Sequence, residues 1–97
     1  MKDESSENKK EFLPPLDFGS IIVLLYFPAL IQLGLMADPG TGETQENLKL
    51  AKRNIDLLEL LKDKTEGNLD EEEEKALGDA LSQLKMAYLN KSEFLKM

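Results

Sequence analysis

Read for the alternation of apolar and polar positions, the chain divides into three helical segments with different patterns. Phe18 to Met36, FGSIIVLLYFPALIQLGLM, carries no charge, and its only polar side chains besides the Tyr26 hydroxyl are Ser20 and Gln32. On a helical wheel its apolar residues fall on every side, a pattern that calls for burial all round. Asp17 is placed to cap its start, and Pro28, which cannot donate to the carbonyl of Leu24, predicts a kink or break near Tyr26 to Pro28.

From Asn47 to Glu66 the pattern is amphipathic. Leu48, Leu50, Ala51, Ile55, Leu57, Leu58 and Leu61 share one half of the wheel, charged residues fill the other, and Leu60 strays onto the charged side. An apolar face about 180° wide exceeds the seam of a two-stranded coil, so this helix should touch two neighbours. Gly67 reads as a left-handed C′ residue. Asp70 with Glu73 forms a capping-box pattern at the head of a third helix, 70–94, and the acids of its first turn complement the helix dipole. Leu77, Leu81, Leu84, Tyr88 and Leu95 trace its apolar stripe, Ala80, Ala87 and Met86 broaden it, and Asn90 to Met97 is expected to fray.

The connections follow from turn chemistry. Ala37 to Glu46, with Pro39, Gly40 and Gly42, predicts tight turns. PGTGET has the glycines of a phosphate loop, but Glu43 stands where the lysine should be and no strand precedes it. Residues 1–16 mix charges and serines before Pro14-Pro15, which reads as a disordered or extended tail ahead of a single helical domain, 17–97. A lone Pro-Pro lacks the repeat of a polyproline ligand. The acids ahead of the apolar run also make that region net negative, where a secretory signal is positive.

The resulting fold class is all-α: a helical hairpin (47–66, 70–94) packed on a kinked apolar first helix (17–36) as a small bundle. The apolar run has a rival reading as a single membrane span, since at ~1.5 Å per residue it would reach about 28 Å. Its flanks argue against that. No Lys or Arg lies between Lys10 and Lys49, and Tyr26 and Phe27 sit mid-span, away from the interfaces that aromatic belts mark. A buried helix is therefore preferred, with a membrane-anchored subunit bearing a cytosolic hairpin as the alternative.

Composition narrows the chemistry. The 97 residues include no Cys and no His, which removes thiolate metal sites, disulfides and the usual proton shuttle. Ser20 and Ser82 lie on different helices without a nearby base, so no catalytic role is assigned and the chain is not read as an enzyme. The acids Asp70 to Glu74 fan outward on consecutive positions, and no metal or other cofactor is expected. Net charge is −7, which disfavours nucleic acid. Lys49, Lys52, Arg53, Lys62 and Lys64 are nearly balanced by acids of the same helix.

A chain this short cannot easily cover an all-apolar helix and a wide-faced one. Self-association, most often two-fold, is the expected remedy. The residues expected at that interface are Ile22, Leu25, Tyr26, Ala29, Leu30, Leu33, Leu57 and Leu61. The reading is of a homo-oligomeric binding or scaffold protein, with room for an unidentified protein partner.

One order of motifs is recognisable: Gln32-Leu33-Gly34 closing the apolar helix, the turn Asp38 to Glu43, then Asn47 to Leu77. Its most specific pieces are Ile55-Asp56-Leu57-Leu58 and Lys64-Thr65-Glu66-Gly67-Asn68-Leu69. Over residues 12–90 the chain resembles a small bacterial family catalogued as domain of unknown function 1844. The resemblance implies a short, all-helical, cytosolic bacterial protein and carries over no activity, cofactor or site residue.

Overall fold

A computed structural model describes residues 13–96, in which three helices follow one another: α1 (Phe18–Gln32), α2 (Leu48–Lys64) and α3 (Glu71–Lys96). The disorder expected for Met1 to Glu11 lies outside the described residues. So do Met97 and the side chain of Leu95, and with them part of the expected fraying; the helix itself continues to Lys96.

Each helix begins where a side chain can take up the free amides of its first turn. At α1 the Asp17 carboxylate accepts from both the amide and the hydroxyl of Ser20, each at 2.9 Å. At α2 Asn47 accepts from the Leu50 amide at 3.1 Å. The capping box at α3 is reciprocal: Asp70 accepts from the Glu73 amide at 2.8 Å, and Glu73 from the Asp70 amide at 3.0 Å.

The ends are less obvious from sequence. α1 stops at Gln32, four residues before the apolar run does, because Gly34 (φ +79°) closes it in a Schellman turn. The Leu35 amide donates to Leu30 and the Gly34 amide to Ile31, both at 3.0 Å. Within α1, Pro28 leaves the helix undivided from Phe18 to Gln32. At about 22 Å α1 falls short of a ~30 Å hydrocarbon core. Among the described residues no helix is long and apolar enough to cross a membrane, which sets aside the single-span reading of 18–36. α2 ends at Lys64 with Thr65 as its cap, the threonine hydroxyl donating to the Leu61 carbonyl at 2.8 Å. Gly67 is left-handed as expected, at φ +86°, but stands one residue beyond C′.

The topology is up-down-up. The Asn47 amide donates to the Gln32 carbonyl at 2.7 Å, which folds α2 back along α1, while the N-terminal ends of α1 and α3 line one groove. Ile22, Ala29 and Leu33 from α1 and its cap meet Ala51, Ile55 and Leu58 from α2 and Leu77, Ala80, Leu81 and Leu84 from α3. Fully burying each leucine contributes about 1.5–3 kcal/mol. Polar ties fix the helices sideways: Tyr26 donates to Gln83 at 2.9 Å, Asn54 to the Gln32 side chain, and Lys85 pairs with Glu59 at 2.8 Å. The bundle is thin, with a smallest Cα extent of 16 Å, so every helix keeps an outward side.

Candidate functional site

The outward side of α1 is the unusual surface. At 100° per residue, Ser20, Leu24, Phe27 and Ile31 fall within about 60° of one another, opposite the buried Ile22, Ala29 and Leu33. Leu24 is 61% exposed, and Ile21, Val23 and Phe27 beside it are each more than two-fifths exposed. No charge interrupts this face. At its N-terminal border Pro14, Pro15 and Leu16 share a mostly apolar groove with Asp17, Ser20, Ile21 and Leu24, and Leu16 is fully exposed. The other end is polar: Ile31 and Leu50 share a groove with Gln32, Asp38, Gln45, Glu46 and Asn47, while Leu35 and Met36 are exposed nearby in the chain.

The residues expected at an oligomer interface divide into three groups. Ile22, Ala29 and Leu33 belong to the chain's own core, because the narrow sector they share is the one that packs on α2 and α3. They have no free surface to give a partner. Leu25, Tyr26, Leu30 and Leu61 are half-buried around that core, and Leu57 is 41% exposed on α2. Leu24 and Phe27, the exposed residues opposite the core, are not among these, since an all-apolar helix gives its wheel no polar side to mark the outside. A subtler signal was present. Tyr26 and Gln32, two of the few groups in α1 able to hydrogen bond, each reach a neighbouring helix and so mark its inner flanks.

Other places offer less. A groove of about 320 Å³ between α2 and α3 has Ile55, Tyr88 and Leu89 along it, and the Lys52–Asp56 and Lys85–Glu59 pairs at its rim. Among the described residues no group of three or more His, Cys, Asp or Glu could hold a metal ion. The Asp38 turn is held by its own backbone, with the Gly42 amide donating to Asp38 at 2.7 Å and the Gly40 amide to the Asp38 carboxylate at 2.8 Å. Lys75 is raised above the ordinary lysine pKa by its hydrogen bond to Asp79, with the attraction of the carboxylate adding to it. Its partner lies four residues along the same helix, so the shift marks a surface ion pair.

Compared with known families, residues 15–90 match the one described as Domain of unknown function (DUF1844). The chain belongs to this family. The DUF1844 match begins at Pro15, beside the exposed Leu16, and takes in α1, α2 and α3 as far as Asn90. It therefore contains both the packed core and the uncovered face of α1. No curated protein and no solved structure matches this DUF1844 chain.

Proposed function

We propose that this DUF1844 protein is a self-associating module of the cytoplasm, without catalytic activity of its own, that pairs with a second copy through the outward face of α1. It needs no cofactor and no nucleic acid, and a dimer would leave the α2–α3 groove free for a further protein. What supports the reading is the uncovered, charge-free face itself in a chain of net charge −7. Contiguous exposed apolar surface of this kind marks an interaction site. The occupant that suits it is another copy, because the middle of this face carries no charge and two acidic chains can meet there with their carboxylates kept to its ends.

The area is of the right order. Leu16, Ile21, Val23, Leu24, Phe27 and Leu35 together leave about 600 Å² uncovered per copy, against the ~800 Å² each partner gives to a standard interface. Light scattering after size exclusion tests this directly, and a clean monomer of 10.9 kDa at micromolar concentration would sink it. Leu24→Glu should convert the dimer to a monomer while circular dichroism keeps its helix content, since Leu24 takes no part in the core.

A further inference from the structure

We infer that the two copies meet with their α1 helices antiparallel, about a two-fold axis passing between Leu24 and Phe27, a geometry that rests on the self-association proposed above. The seam Ser20, Leu24, Phe27, Ile31 advances by four, three and four residues, and this spacing reads the same from either end. An antiparallel copy therefore sets Leu24 against Phe27 of the other chain and Ser20 against Ile31, in register along the whole seam. Self-complementarity of this kind is what a two-fold interface requires.

Size and charge separate this arrangement from the parallel one. Antiparallel, the small Ser20 faces the branched Ile31 and Leu24 faces Phe27, so small and large side chains alternate across the contact. Parallel, Ser20 would face Ser20 and Phe27 would face Phe27, pairing small with small and large with large. Asp17 moves toward the Gly34 end of the other α1, where the paired Glu46 carboxylate and Lys91 ammonium lie 3.3 and 3.4 Å from the place a Cβ on Gly34 would occupy. In a parallel pair the two Asp17 carboxylates would stand together instead. Antiparallel helix dipoles add a further small preference.

The absence of cysteine from the chain makes the register directly readable. Copies carrying Ser20→Cys are mixed with copies carrying Ile31→Cys and mildly oxidised, each variant also being oxidised alone. The expected result is a covalent dimer from the mixture and little from either variant by itself, because a disulfide needs Cβ atoms about 4 Å apart. Leu24→Cys mixed with Phe27→Cys should behave in the same way, which covers the loss of the Ser20 hydroxyl at the cap. Efficient cross-linking of Ser20→Cys alone, or a dimer that cross-links in neither mixture, would overturn the antiparallel register and leave self-association standing. A chain that runs as a monomer in light scattering and co-sediments with phosphatidylcholine vesicles would overturn both, assigning the α1 face to a bilayer surface.

Discussion

At Gly34 the backbone sits at φ +79° while the Glu46–Lys91 ion pair, 3.2 Å long, lies across it. A methyl group there would meet a strained dihedral, and both charged side chains would lie within 3.4 Å of it. Gly34→Ala should cost about 1–3 kcal/mol in a denaturant titration, most of it from the left-handed backbone. Asp70 offers a milder case. Asp70→Ala removes one half of the reciprocal cap and should cost about 0.5–2 kcal/mol by the same measurement. The Lys75–Asp79 pair sets a pH expectation. Because the folded state raises the Lys75 pKa, the pair's contribution is complete below the ordinary lysine value of 10.5 and is lost as pH rises through the raised folded value. Thermal melts of the wild type and Asp79→Asn should differ by a constant amount through neutral pH and converge only at strongly alkaline pH. Asp17 and the Asp70–Glu73 box could both be read from sequence because a cap is chosen within four residues. The closure of α1 at Gly34 was harder to see, since Leu35 and Met36 continue the apolar composition after the backbone has turned.

Each helix carries an inner and an outer set of leucines whose replacement should separate cleanly. Leu58 is fully buried and Leu60, two positions on, is 51% exposed. Leu58→Ala should lose about 2–5 kcal/mol, whereas Leu60→Ala should stay within about 0.5 kcal/mol, both read from chemical denaturation. The amphipathic pattern of α2 anticipated this division for Ala51, Ile55 and Leu58. It placed Leu50 and Leu57 on the apolar half as well, yet they sit at the edge of that half and stay 45% and 41% exposed. For α1 the sequence could supply the helix and its cap but not its orientation, because orientation depends on which side α2 and α3 happen to cover. Pro28 gives the element a further test. It lies within a continuous helix, where it denies the Leu24 carbonyl its donor, so Pro28→Ala should raise thermal stability.

Three helices forming a body only 16 Å across its thinnest Cα dimension cannot enclose a broad core. This is why only ten of the described residues make up the buried cluster while α1 still shows leucine, isoleucine and phenylalanine to solvent. Pairing two such bodies would nearly double the thickness and give α1 a covered position from both sides, which is the burial its all-apolar wheel demanded from the outset. Stability would then depend on protein concentration, with the melting temperature of the wild type rising on concentration and that of Leu24→Glu staying constant.

The charge-free face of α1 also governs how two copies find one another. Each approaches with a net charge of −7 while the surface that joins them contributes no attraction of opposite charges. At low ionic strength the encounter is slowed by repulsion extending beyond ~10 Å. Added salt shortens that range without weakening the apolar contact it leads to. Salt, which loosens many complexes, should here speed association and tighten it.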